Sequence, residues 1–175
     1  MAIARVSVPS WALGACIAFS AFAAVAQTAL PDLPPEIAPG DLKSYLSVPA
    51  KGVQIYVCSK TDNGFAWSFK APEAELFDAA GTRIGKHYAG PSWEGLDGGK
   101  VVGAVKASVK APAANAIAWL RLDIKAREGT GAFTQAAGIL RIATEGGTAP
   151  GAGCDEVRAG SELRVPYTAT YLFLK

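Results

Sequence analysis

The sequence has few of the side chains that build metal centres. It contains one histidine, His87, and three cysteines among 175 residues. A zinc site takes three or four such ligands. The acidic turn Asp97-Gly98-Gly99 lacks the alternating carboxylates of a calcium loop. The sequence therefore predicts no metal site, and no cofactor motif is visible.

Other classes of protein are also disfavoured by what is missing. The formal net charge is only +2 and the charges are interspersed, with no basic run. This gives no electrostatic basis for binding nucleic acid or an anionic membrane. No G-x-S-x-G motif is present, which argues against an α/β hydrolase. No long stretch has the apolar period of a helix.

The N-terminus has the composition of a secretory signal peptide. One basic residue, Arg5, precedes a long apolar run that ends in AVA at residues 24–26. A basic start, an apolar middle and a small-x-small end are what signal peptidase reads. We predict cleavage after Ala26 and a periplasmic or secreted protein with no membrane span left. An uncleaved anchor and a lipid anchor on Cys16 are the alternatives.

The remaining chain divides into an arm and one domain. Residues 27–41 are rich in proline and predict an extended N-terminal arm. Residues 42–175 are long enough for a single domain with its own core. We expect this domain to be monomeric.

Alternation of apolar and polar residues predicts strands throughout that domain. GILRIAT is ambiguous between a strand and a short helix. KVVGAVKASVK places Val101, Val105, Ala107 and Val109 on one side. About eight to ten short strands with frequent turns predict an all-β fold, either an antiparallel β-sandwich or a β-barrel. The clearest alternating segments are GVQIYVC, FAWSFK, AWLRLDIK and LRVPYTATYLFL.

Two cysteines remain after the predicted cleavage, Cys58 and Cys154. In an exported protein the simplest expectation is that they form one disulfide; two buried free thiols are the alternative. A bridge would also explain the long, glycine-rich segment at 145–160, because an unstructured loop of that length is uncommon in a compact domain.

The densest group of candidate functional residues is GKHYAGPSWEG, residues 85–95. His87 has an ordinary pKa near neutrality and is the natural general base. Glu94 or Asp97 could orient it, and Tyr88 and Trp93 could form the wall of a ligand site. In the alternative, Trp93 fills the end of a barrel and His87 bonds a backbone carbonyl. A lone histidine more often has such a structural role.

Arginine offers a second type of candidate site. Arg141 and Arg164 each lie among the apolar residues of a strand. Either could bind an anionic ligand, although an outward-facing, solvated side chain is the more ordinary expectation. We retain Arg141 with His87, Tyr88, Trp93 and Glu94 as a candidate ligand-binding set.

Several motifs in this order resemble a family of exported bacterial and fungal proteins known only as a domain of unknown function. The resemblance covers about residues 45–175. It implies export, a single all-β domain and a Cys58–Cys154 pair, and it assigns no catalytic residue. The motifs are GVQIYVC, WSFKAPEAELFDAAG, G-x-H-Y-x-G-P-x-W-E, T-x-G-G-x-x-P-x-x-G-C and RVPYTATYLF.

These observations lead to three expectations about function. The first is a binding or structural module that takes a small molecule, a glycan or a protein near His87 and Trp93. The second is an enzyme, such as a lyase, isomerase or hydrolase, with His87 as base and Glu94 or Asp97 as orienting group. The third, from architecture alone, is an envelope inhibitor of a hydrolase such as lysozyme.

Overall fold

The structure, a computed structural model, describes residues 32–175. The predicted signal peptide and Cys16 lie outside the described residues. In residues 32–175 eight strands alternate with turns and three short 3-10 helices. The strands are β1 (Ser44–Thr61), β2 (Gly64–Phe77), β3 (Arg83–Tyr88), β4 (Ser92–Gly95), β5 (Lys100–Val109), β6 (Trp119–Glu128), β7 (Gly138–Gly146) and β8 (Glu162–Leu174); the 3-10 helices are Pro35–Ile37, Phe133–Gln135 and Glu156–Arg158.

The eight strands form one closed barrel. Each strand pairs with the next in antiparallel fashion, and β8 returns to pair with β1. The predicted all-β antiparallel fold is confirmed, with a barrel rather than a sandwich, and GILRIAT lies in β7. The expectation of short strands is wrong for β1, which has 18 residues. Bulges let such long strands continue while the sheet curves.

The barrel has an inner core and a second core on its outer surface. Tyr167, Tyr171 and Phe173 of β8 point inward together, as their alternation predicts. On the outer face of β6, β7 and β8, Trp119 and its apolar neighbours are covered by the N-terminal segment, residues 32–43, whose Ile37 is fully buried. The described part of the predicted arm is therefore packed against the barrel.

The predicted alignment of β5 is only half right. Val101 and Val105 face the interior of the barrel, as predicted. A bulge between Val105 and Ala107 then shifts the register. Ala107 and Val109 consequently face outward and pack beneath the N-terminal segment. One extra residue in a strand moves every later side chain to the other face of the sheet.

The two ends of the barrel differ. The closed end carries the β2–β3, β4–β5 and β6–β7 connections, and there Phe133 stacks on Phe173 with ring centres 4.6 Å apart. The open end carries the β1–β2, β3–β4, β5–β6 and β7–β8 connections. At the open end the β1–β2 hairpin extends beyond its neighbours, since β3 pairs only with the part of β2 from Ala74 onward.

The β7–β8 loop, residues 147–161, lies against this hairpin. A disulfide joins Cys58 of β1 to Cys154 of the loop, which confirms the predicted bridge. The Trp67 indole N–H donates to the carbonyl of Ala152 at 3.1 Å, and the Tyr56 hydroxyl donates to that of Gly147 at 2.6 Å. The covalent link and these two hydrogen bonds together hold the loop beside the open end.

Candidate functional site

The interior of the barrel at the open end contains a cavity of about 760 Å³. This volume is in the range that drug-sized ligands occupy, and eight-stranded barrels are just wide enough to hold one small ligand. Most of the lining is apolar, and none of the lining residues is acidic. The residues are Gln54, Tyr56, Phe69, Lys70, Pro72, His87, Ala89, Gly90, Pro91, Trp93, Val105, Lys110, Ala111, Ala116, Ile117, Ala118, Leu120, Leu122, Arg141, Thr148 and Tyr171.

Three aromatic rings form the inner wall of the cavity. His87 of β3 and Trp93 of β4 are paired across the strands and stack with ring centres 4.5 Å apart. Tyr171 packs against both, at 5.0 Å from His87 and 5.3 Å from Trp93. Gly103 of β5 leaves room for the indole, because a Cβ there would lie 3.0 Å from Trp93 Cζ3.

The His87 ring is fixed and uncharged. The side chain is 2 % exposed, and Nδ1 lies 2.8 Å from the carbonyl oxygen of Ser92. A carbonyl only accepts, so Nδ1 carries the proton and Nε2 keeps the lone pair. Burial lowers the pKa of His87 from 6.5 to about 3, against the opposing effect of the Ser92 hydrogen bond, and the positive charge of Arg141 lowers it further. His87 is therefore neutral at physiological pH.

Neither candidate orienting carboxylate contacts the imidazole. Glu94 follows Trp93 in β4, so its side chain points to the outer face of the barrel. There it accepts a hydrogen bond from the Tyr88 hydroxyl at 2.7 Å and pairs with Lys86 at 3.1 Å. The hydrogen bond from Tyr88 is the main cause of the lowered pKa of Glu94. Tyr88 and Glu94 thus form an outer pair and do not line the cavity.

Asp97 has a structural role at the closed end. Its carboxylate accepts hydrogen bonds from the backbone N–H groups of Gly99, at 3.1 Å, and Ala132, at 2.7 Å. It links the β4–β5 turn to the β6–β7 loop. The structure therefore does not assemble the His87–carboxylate pair that the enzymatic expectation requires.

Arg141 faces the interior, and the ordinary expectation of an outward side chain is wrong for it. It is paired with Leu120 of β6 and Tyr171 of β8, both of which line the cavity. Arg164 does behave as expected: it lies on the outer surface and pairs with Glu73 at 2.8 Å. Both arginines have apolar neighbours in sequence, which is why alternation alone does not separate them.

Sequence reasoning did not include Gln54 and Tyr171 among the site residues. Both are inward-facing and almost fully buried, and both line the cavity. The Tyr171 hydroxyl lies 3.3 Å from that of Tyr167, and burial raises the pKa of Tyr171 well above its ordinary value. The sequence feature that could have pointed to Gln54 is its position within GVQIYVC, where it is a polar side chain on the same face as Tyr56 and Cys58.

Two buried donors on residues that line the cavity make no hydrogen bond of good geometry within residues 32–175, although the Gln54 side chain interacts with the Tyr167 hydroxyl. They are Gln54 Nε2 and Trp93 Nε1. Buried polar groups are nearly always paired, so these exceptions are unusual. The other two unpaired buried nitrogens in this part of the chain, Trp119 Nε1 and Arg121 Nε, belong to residues on the outer face of β6.

No three potential metal-ligating side chains are clustered anywhere in residues 32–175. In the same part of the chain, no helix has the length and apolar character needed to cross a membrane.

The fold and the cavity define a class of protein: closed eight-stranded antiparallel barrels with a ligand-sized cavity at one end. The chain belongs to the family described as protein of unknown function (DUF3455), whose sequence model matches residues 39–175. This match confirms the resemblance to a domain of unknown function and extends it slightly toward the N-terminus. Comparison with curated proteins and with solved structures gave no match.

Proposed function

We propose that this protein is an exported binding module that holds one small, mostly apolar molecule in the open end of its barrel. The observation that carries the proposal is the cavity of about 760 Å³ with its aromatic inner wall. Apolar pockets with a few convergent polar groups are the usual form of small-molecule sites. The disulfide is compatible with an oxidising compartment, and we place the protein in the periplasm or outside the cell.

The lining favours a compact apolar ligand over a glycan or a protein segment. Phe69, Pro72, Ile117 and Leu122 contribute aliphatic and aromatic surface, whereas sugar hydroxyls need many hydrogen-bonding partners. The unpaired N–H groups of Gln54 and Trp93 would suit a ligand with one or two acceptor atoms. Pairing them would also remove the cost of a buried unsatisfied donor, about 1 to 3 kcal/mol each.

In this proposal His87 belongs to the wall of the site. A general base works best with a pKa near the operating pH, and the pKa of His87 is about 3. Its ring supplies a flat surface beside Trp93, and Nε2 supplies one acceptor. The proposal therefore assigns His87 to shape and hydrogen bonding, with no proton transfer.

Binding is tested first with an uncharged probe. N-phenyl-1-naphthylamine fluoresces when it enters apolar surroundings. Titration into the oxidised, untagged protein, with the leader removed, should give a saturable increase that fits one site per chain. An increase that does not saturate, or none at all, would argue against a ligand cavity.

Placing a larger side chain at the open end of the cavity should weaken this signal. Val105 lines the open end and its side chain is partly exposed, so tryptophan can be accommodated without disrupting the inner core. We expect Val105→Trp to weaken probe binding about tenfold or more, since each 1.4 kcal/mol of lost burial is a factor of ten. The measurement is the dissociation constant from the same titration.

The matched control is Val157→Trp. Val157 is 95 % exposed in the 3-10 helix of the β7–β8 loop and does not line the cavity. This variant adds the same side chain to the surface and should bind the probe like the native protein. Equal affinities in both variants would place the probe somewhere other than the barrel interior.

A further inference from the structure

The cavity contains an arginine without a counter-ion. Three cationic residues line it: Arg141 inside, and Lys70 and Lys110 nearer the opening. Lys70 pairs with Glu162. Within residues 32–175 neither Arg141 nor Lys110 makes a salt bridge, and the lining includes no aspartate or glutamate. The cavity is therefore apolar in most of its surface and positive in charge.

The guanidinium of Arg141 is held in place by hydrogen bonds that occupy only some of its N–H donors. Nε and Nη2 donate to the carbonyl of Ala118 at 3.1 and 2.8 Å. A guanidinium has five N–H donors; the side chain also hydrogen-bonds to Tyr171, and the donors that remain are available to another acceptor. The β6–β7–β8 pairing fixes the direction of the side chain toward Tyr171.

The charge of Arg141 acts on the groups around the cavity. It lowers the pKa values of His87, Tyr56 and Tyr171, in opposition to burial for the two tyrosines. Placing a cation among apolar groups is costly unless it is paired. Natural proteins resolve this with a counter-ion, and here the described chain offers none inside the barrel.

We infer that the ligand carries a single anionic group of carboxylate type, which binds the free N–H groups of Arg141 while its apolar body lies against His87, Trp93 and Tyr171. This inference rests on the proposed function. A planar carboxylate matches the fork of a guanidinium and accepts two parallel hydrogen bonds. Lys110 near the opening would add a weaker attraction for the same charge.

The test compares an anionic and a neutral competitor that have the same chain length. Decanoate and 1-decanol have the same chain length, and both can displace N-phenyl-1-naphthylamine from the native protein at pH 7. We expect decanoate to compete about tenfold to a hundredfold more tightly, the range for a hydrogen bond to a charged group. Equal or weaker competition by decanoate overturns the inference and leaves the cavity proposal intact. Failure of the probe itself to bind removes the cavity proposal.

Two arginine variants identify the group responsible. In Arg141→Met the ratio of the 1-decanol and decanoate dissociation constants should fall to about parity. Arg164→Met removes an arginine from the outer surface and should leave the preference unchanged. Arg141→Lys keeps the charge and loses the fork, so we expect an intermediate preference. An undiminished preference in Arg141→Met would assign the anion to another group.

Discussion

Removal of the Cys58–Cys154 bridge is expected to lower the free energy of unfolding by about 2 to 4 kcal/mol. The two residues are 96 positions apart, so the bridge restricts the unfolded chain over most of the domain. For a domain of this size the loss corresponds to a melting temperature lower by about 4 to 16 °C. The measurement is thermal unfolding of Cys58→Ala/Cys154→Ala beside the native protein.

The bridge should also affect the cavity. Thr148, at the start of the β7–β8 loop, lines the open end, and the bridge holds that loop against β1. We therefore expect the double variant to bind the neutral probe more weakly even at temperatures where it is fully folded. The matched control is Trp67→Phe, which loses the hydrogen bond to Ala152 and keeps the bridge. It should cost only about 1 kcal/mol.

Equal melting temperatures for the double variant and the native protein would contradict the stabilising role. Equal probe affinities with a lowered melting temperature would show that the bridge stabilises the fold without shaping the cavity.

Alternation predicted the strands well because it reports directly on which residues share a face. In LRVPYTATYLFL, for example, the alternating residues Tyr167, Tyr171 and Phe173 do share the inner face. It does not report which face lies inside. On β8 both faces are apolar, since Leu172 and Leu174 are buried under the N-terminal segment. Where the N-terminal segment covers the outer face of the barrel, both faces of a strand are apolar, and the sequence pattern does not identify which face is the inner one.

The candidate site was predicted in part for a related reason. His87 and Trp93 were chosen from one dense segment and do lie together in the cavity wall. Glu94 was grouped with them because it is close in sequence, yet adjacent residues of a strand point to opposite faces. Arg141 and Gln54 lie far from His87 in sequence, on β7 and β1, and the folding of all the strands into one closed barrel places the three residues in the lining of one cavity. That closure depends on pairing between β1 and β8, which no local pattern specifies.

Acid is expected to destabilise the fold strongly through His87. Its pKa is about 3 in the folded protein and about 6.5 when unfolded. Between these values the unfolded chain binds a proton that the folded protein excludes, so the free energy of unfolding falls as the pH falls. The contribution of His87 to the free energy of unfolding is fully present above pH 6.5. Between pH 6.5 and pH 3 it decreases by about 1.4 kcal/mol per pH unit, and below pH 3 it changes no further. At pH 4 we expect a loss of about 3 kcal/mol from this group.

The measurement is urea unfolding between pH 7 and 4 for the native protein and His87→Asn. Asparagine does not titrate and keeps a side-chain N–H that can donate to Ser92. Carboxylates such as Glu94 titrate in both proteins, so the difference between the two pH dependences isolates the histidine. Parallel curves would mean that the folded protein accepts the proton on His87.

The imidazole NMR signal gives an independent measure of the same pKa. The chain has a single histidine, so an untagged protein needs no assignment. We expect no titration between pH 5 and 9, because burial and the Arg141 charge both oppose protonation. Arg141→Met should raise the pKa of His87, since it removes the nearby cation while leaving the ring buried. A midpoint near 6.5 in the native protein would mean that solvent and protons reach the ring freely, and the cavity wall would then be far more open than the packing of His87 against Trp93 and Tyr171 implies.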